Sequence, residues 1–349
     1  GQGNEAGESR TVSGSSASFV SRPFALRAVV TDNPAAADHE GAVFRAAGDP
    51  MEVVVTAVGY QASDDSDGDG IPDGHGDTDP TNNANLADNP ALGFFGPETV
   101  RLVGALHRPD GGHDPGLDGG PIGVDPFSGG QSAGNEVNWP EVGIMELRAG
   151  LADGDYLGSG AGVVGRSGPV GRFVPDRFEV VDTTVVDRVQ RGCAADDFTY
   201  LGEQLAPEMT LEARNAAGSQ TRNYRDAFAS LGPGDVQQWA ALDGPTATDL
   251  SGRLSAHVGA FQVARGWADT TGSEVGRATF RLPLTLARGS EADGPWTAVD
   301  FGFSASDADG VTVAPDLDSS GDGSPDRAGA GETELRYGRL TLESGHVAE

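Results

Sequence analysis

The sequence predicts an all-β protein built as two tandem β-sandwich modules. Three observations carry that expectation: short apolar runs with strand periodicity, punctuation by glycine, proline and aspartate, and an internal repeat. At 349 residues the chain is long enough for two domains that each bury a core. Hydrophobic residues make up 37%, with 53 Gly and 21 Pro, a turn-rich composition that still supplies packed sheets.

The strand runs are Phe24–Val30, Met51–Val58, Thr99–Val103 and Gly143–Ala149 in the first half. In the second half they are Arg177–Val181, Met209–Ala213, Thr279–Leu286 and Arg339–Glu343. β-Branched residues at period two suit a half-buried pleated surface. Ala206–Ala217 and Asp235–Leu242 come nearest to a helical pattern, and both are short and flanked by Gly or Pro.

The halves match each other in order. Ser18–Leu26 parallels Arg172–Val180, Asp49–Val53 parallels Ala206–Thr210, and Val142–Gly150 parallels Tyr337–Gly345. Three matches in one order argue for duplicated modules of the Ig-like, Greek-key type with long Gly/Asp-rich loops. The resulting division is a flexible segment 1–18, a first module 19–170 and a second module 171–349, the boundary falling close to Gly165–Gly171.

Fifty-three Asp and Glu against 23 basic residues give a net charge of −30. Such a surface repels nucleic-acid phosphates and anionic headgroups, so cations are the natural partners. Every basic residue is Arg; an acidic, lysine-free surface fits high salt or a calcium-rich exterior, and a GC-rich genome would favour the same composition. Cys193 is the single cysteine, which rules out an internal disulfide or a cysteine-based zinc site and suits a small buried side chain. No run of about 18 apolar residues exists, so no direct membrane insertion by a helix is expected. The first 18 residues also lack the basic and apolar regions of a leader.

The sharpest chemical signal is Asp65-Ser66-Asp67-Gly68-Asp69-Gly70-Ile71-Pro72-Asp73. Asp65, Asp67, Asp69 and Asp73 fall at positions 1, 3, 5 and 9 of a calcium loop, the Ile71 carbonyl at 7, and Gly70 at the sharp turn. Hard oxygens at this spacing wrap Ca2+, whereas four neighbouring carboxylates without a cation repel one another. Gly76 stands at position 12, so Asp77 or Asp79 would supply the missing ligand from a slightly longer loop. A second copy keeps Asp318, Asp322 and Asp326, with Ser320 in place of one carboxylate. Both read as structural, and the first resembles the calcium repeats of thrombospondin type 3 more than a helix-flanked EF-hand.

Motifs with catalytic spelling are weaker. Gly130-Gln131-Ser132-Ala133-Gly134 fits the nucleophile elbow but lacks the strand before it and the helix after it. Gly160–Gly165 fits a dinucleotide fingerprint without a βαβ setting. Trp139, Trp239, Trp267 and Trp296 read as packing residues rather than sugar platforms.

Several stretches together resemble the C-terminal domain of MshQ proteins, which belong to the mannose-sensitive haemagglutinin (MSHA) type IV pilus systems of Gram-negative bacteria. They are Arg22–Leu26, Ala47–Pro50, Glu141–Ile144, Gly171–Phe178, Phe198–Gly202, Ala213–Gly218 and Arg336–Leu340. The resemblance implies an exported protein at the cell surface or outside the cell, tied to pilus assembly or adhesion. Pilus subunits or surface glycans would be its partners, and it brings no catalytic residues. The functional expectation is therefore a non-enzymatic adhesion or structural module stabilised by calcium. A spacer or structural subunit of an extracellular filament, or a secreted hydrolase, are the alternatives.

Overall fold

The computed structural model describes residues 14–17, 19–74, 85–124, 126–187, 198–256, 262–268 and 272–338. Asp77, Asp79, Cys193 and residues 339–345 of the third internal match lie outside them. Within them, regular structure is β-strand plus single turns of 3-10 helix.

The first half contributes β1 (Ala25–Val30), β2 (Arg45–Ala46), β3 (Pro50–Val58), β4 (Val100–Arg108) and β5 (Ile122–Val124). β6 (Phe127–Ser128), β7 (Gln131–Ser132), β8 (Asn135–Asn138), β9 (Gly143–Leu151) and β10 (Val164–Val174) follow. One sheet runs β1-β3-β7-β6, with β8 also on β3; the other runs β2-β10-β9-β4-β5. Strand periodicity explains how they face each other: Met51, Val53, Val55 and Ala57 alternate inward along β3, as Val100 and Leu102 do along β4. These side chains meet Met145, Leu147, Val170 and Phe173 in one core around the fully buried Trp139.

The second half repeats the plan with β11 (Arg177–Val186), β12 (Phe198–Tyr200), β13 (Gln204–Arg214), β14 (Val236–Asp243) and β15 (Thr248–Asp249). After these come β16 (Leu254–Ala256), β17 (Gln262–Arg265), β18 (Arg277–Arg281), β19 (Leu284–Leu286), β20 (Trp296–Ala305) and β21 (Ala328–Arg336). One sheet runs β16-β19-β13-β18-β17, with β11 on β13; the other runs β12-β21-β20-β14-β15.

The two halves share a topology. β2 pairs in parallel with β10, and β12 in parallel with β21, whereas β1 and β11 pair antiparallel with β3 and β13. In each half the opening strands are thus split between the two sheets, and the order β2-β10-β9-β4-β5 is reproduced as β12-β21-β20-β14-β15. The tandem sandwich expected from the sequence is the fold observed.

Ala206–Ala217 and Asp235–Leu242 are not helical: they supply most of β13 and β14. β13 buries one face and carries half-buried Glu208, Thr210 and Arg214 on the other, and β14 combines its two buried alanines, Ala240 and Ala241, with half-buried Val236 and Trp239. In the topology β20 takes the place that β9 has in the first half, and most of the third internal match, 339–345, lies outside the described residues.

The halves meet at a polar seam over continuous apolar packing, for Val142, Ile144 and Val174 join the second core. Across the seam, Ala216 N donates to Ala47 O (2.8 Å) and Asn215 Nδ2 to Pro140 O (2.9 Å). The Asn223 side chain accepts from His113 N (2.7 Å) and donates to His113 O (2.9 Å), repeating a backbone pairing with an amide side chain. Arg172 grips Asp309 with two parallel bonds of 2.7 and 2.5 Å, both side chains nearly buried.

Candidate functional site

The loop after β3 places the first aspartate set. Asp73 N donates to Asp64 O (2.8 Å), closing a ring of residues. Within it, Gly68 and Gly70 take left-handed backbone angles (φ +76° and +79°), which only glycine adopts without strain. Gly70 N donates to Asp65 (3.2 Å), Asp69 N to Asp67 Oδ1 (3.2 Å) and Ile71 N to Asp69 Oδ1 (2.6 Å). Each carboxylate is thereby oriented by a backbone N–H, and one oxygen each from Asp65, Asp67 and Asp69 lies within 4.8 Å of the others. Asp73 also braces the loop, its Oδ1 accepting from Ser66 N (3.0 Å) and Ser66 Oγ (3.1 Å).

The loop between β20 and β21 is built the same way. Asp326 N donates to Leu317 O (3.0 Å), Gly321 and Gly323 are left-handed (φ +74° and +91°), Gly323 N donates to Asp318 Oδ2 (2.7 Å) and Ser324 N to Asp322 Oδ1 (2.9 Å). Ser319 N and Oγ hold Asp326 Oδ1 at 2.8 and 2.9 Å, as Ser66 holds Asp73. Ser320, where the first loop has Asp67, donates its hydroxyl to Asp318 Oδ1 (3.2 Å). Donor N–H groups keep both end carboxyls acidic: Gly323 leads in lowering the Asp318 pKa, and the Ser319 N–H in lowering that of Asp326.

The loops occupy different connections of the repeated sandwich, so their likeness does not follow from the duplication. Among the described residues, the carboxylates of the first loop form the group close enough to share an ion. Their hard-oxygen chemistry fits calcium, with Asp65 buried and Asp67 and Asp69 exposed. In the second loop Asp318, Ser320 and Asp322 stand at equivalent places with one carboxylate fewer.

Arg22 was not legible as part of this arrangement. Its Nη2 donates to Gly70 O (2.6 Å) and its Nη1 to Gly162 O (3.1 Å), tying the first loop to the β9–β10 connection. Ser132 is no elbow nucleophile: it sits in β7, accepts from Val55 N (3.0 Å) and donates to Ala133 O (2.8 Å). Trp139 and Trp267 are buried, and Trp239 stacks on Phe303.

Two family models match the sequence: the second domain of DUF6701 over residues 22–138 and its third domain over residues 141–332. The chain belongs to the DUF6701 family. The junction of these DUF6701 segments falls immediately before β9, so the third-domain segment contains β9 and β10, two strands of the first sandwich.

Among solved structures, the adhesin FdeC of Escherichia coli is 10% identical, with 92% of this chain and 66% of that one covered at a TM-score of 0.30. The adhesin InvE of Yersinia pseudotuberculosis is 13% identical, with coverage of 89% and 58% and a TM-score of 0.30. The DUF6701 chain thus spans less than two thirds of either protein's length. No curated protein matches the sequence. Among the described residues no helix is long and apolar enough to cross a membrane.

Proposed function

We propose that this DUF6701 chain is a non-enzymatic, calcium-stiffened structural module of an exported, pilus-associated surface protein of the MshQ type, built to hold or present a binding surface. Its working division is the modules 19–170 and 171–349, preceded by the segment 1–18, with the end of β10 (Val164–Val174) running across that boundary as part of the first sandwich. The observation that supports the calcium part is the repetition of one loop design at two unrelated connections, with the same left-handed glycines and the same N–H groups aiming carboxylates. The ligands assigned are Asp65, Asp67, Asp69 and the Ile71 carbonyl, helped by Asp77, and in the second loop Asp318, Ser320 and Asp322. Asp73 and Asp326 complete the two ligand sets and also brace the loops through Ser66 and Ser319. The MshQ assignment rests on the sequence resemblance centred on Gly171–Phe178, and adhesion to surface glycans or pilus subunits follows from it.

Calorimetric titration with calcium, paired with thermal melting in calcium and in chelator, tests the metal. Calcium is expected to bind and to raise the melting temperature, since a ligand at one hundred times its Kd stabilises by about 2.7 kcal/mol. Asp67→Asn with Asp69→Asn is expected to remove the tighter binding event. Absence of heat together with an unchanged melting curve would end the calcium reading. Calcium-dependent, saturable attachment of the purified chain to glycan-coated or pilus-coated beads tests the surface role; equal attachment to bare beads would end it.

A further inference from the structure

We infer that the first sandwich carries a binding cleft for a carboxylate-bearing sugar, formed where β1 crosses over β10, β9 and β4. The cleft has a volume of about 790 Å³, within the roughly 300–1,000 Å³ typical of small-molecule sites. Its charge is opposite to that of the molecule. Arg27, Arg148 and Arg166 line it against the single carboxylate of Glu146, in a chain whose acids exceed its bases by 30.

That one carboxylate does not satisfy three guanidinium groups. Glu146 Oε1 accepts from Arg148 Nε (2.9 Å) and Nη2 (2.7 Å), while Arg166 Nη1 stands 3.6 Å from Oε2. Arg27 is bound through Nη1 to the Ala87 carbonyl (3.1 Å), and its buried Nε has no hydrogen-bond partner among the described residues. That Nε lies too deep for a ligand to reach, but the guanidinium groups of Arg148 and Arg166, 62% and 21% exposed, are open to an incoming carboxylate, whose planar pair of oxygens suits a guanidinium fork.

The backbone opens the cleft. β10 has a register shift between Arg166 and Pro169, and β4 has one between Leu106 and Arg108, on the strands that form the cleft floor. Such bulges re-aim side chains. At the first, Ser167 Oγ accepts from Leu147 N (2.9 Å), replacing the ladder bond that the bulge displaces. Ala28, Leu86, Leu106 and Pro169 supply an apolar wall beside the arginines. A wall of that kind and a guanidinium cluster together match a sugar ring with a carboxylate, the ring's C–H face on one side and its charge on the other. A bare inorganic anion would use only half of the site.

The test uses the whole chain with glucuronic acid and N-acetylneuraminic acid as probes, and glucose and N-acetylmannosamine as their neutral counterparts, followed by NMR or calorimetric titration. Saturable binding of the acids, with at least tenfold weaker binding of the neutral sugars, is expected. Arg27→Gln and Arg166→Gln should each weaken acid binding tenfold or more, and Glu146→Gln, which removes the competing internal carboxylate, should strengthen it. Melting curves establish that each variant is folded. If Arg27→Gln fails to fold, Arg166→Gln with Glu146→Gln carries the test through their opposite signs. Equal binding of neutral and acidic sugars, equal displacement by sulfate, or no change in both arginine variants would overturn the assignment. Because this cleft is separate from the aspartate loops, each of these results is independent of whether calcium binds.

Discussion

Glu141 sits at the seam almost wholly buried, and its carboxyl accepts from Val142 N (2.8 Å), Arg222 N (2.9 Å) and Asn223 N (3.0 Å). Desolvation nevertheless dominates, and the N–H donors only moderate it, so the pKa is pushed up from 4.5 to about 7. Because the folded pKa lies above the unfolded one, the associated stability is complete below about pH 4.5 and is lost as pH rises through about 7. By linkage its size is roughly 3 kcal/mol. Urea unfolding of the wild type and of Glu141→Gln at pH 5 and pH 8 should therefore show the wild type losing stability with pH relative to the variant. Other carboxyls titrate alike in both proteins and cancel in the comparison. A gap that stays constant across that range would refute the linkage. At this scale the sequence spoke clearly only where partners are neighbours: Asp65, Asp67 and Asp69 reveal themselves by spacing, whereas Glu141 meets Arg222 81 residues away and Arg172 meets Asp309 137 residues away.

Strands β1 and β10 come into contact at Gly165, where a Cβ would overlap the Leu26 carbonyl. The two sheets close on each other there, and no side chain fits between the backbones. Gly165→Ala should therefore destabilise by about 1–3 kcal/mol or more, read as a fall in melting temperature. Gly252→Ala, at a position with open space around it, should stay within about 0.5 kcal/mol. Equal melting of the two variants would contradict the crossing. This also explains the Gly160–Gly165 spelling: Gly165 serves close approach of two backbones, not a phosphate. Element type was legible wherever inward and outward residues alternate, as along β3. Along β13 it was legible too, Leu205, Met209, Leu211 and Ala213 being buried at every second position against half-buried Glu208, Thr210 and Arg214, whereas β14, with Ala240 and Ala241 both buried and Val236 and Trp239 half-buried, shows no such alternation.

On the scale of the whole molecule, the two sandwiches are coupled by the Asn223 bracket on His113, the Arg172–Asp309 pair and the shared packing of Val142 and Ile144. The pair continues inward, because Ser230 Oγ reaches both Asp309 (3.3 Å) and Asp307 (2.9 Å), and Asp307 accepts from Tyr224 Oη (2.8 Å). Removing Arg172 leaves that nearly buried chain of acceptors without its cation, a change that typically costs about 3–5 kcal/mol. Calorimetry should record one unfolding transition for the wild type and two for Arg172→Ala, the second sandwich melting earlier. Two transitions already in the wild type would show the seam to be too weak to couple the halves. The duplicated architecture could be read from repeated residues, but the way the copies lock together could not, since a seam has no periodicity.

The placement of β9 and β10 has a further consequence. Both lie after the junction between the two family segments, yet they are inner strands of the sheet that packs against β1 and β3. A gene rearrangement cutting at residue 139 would leave Met51, Val53 and Leu102 facing water in the upstream piece and two orphan strands on the downstream one. Neither segment alone completes the first sandwich, so the two are expected to fold only as one covalent piece.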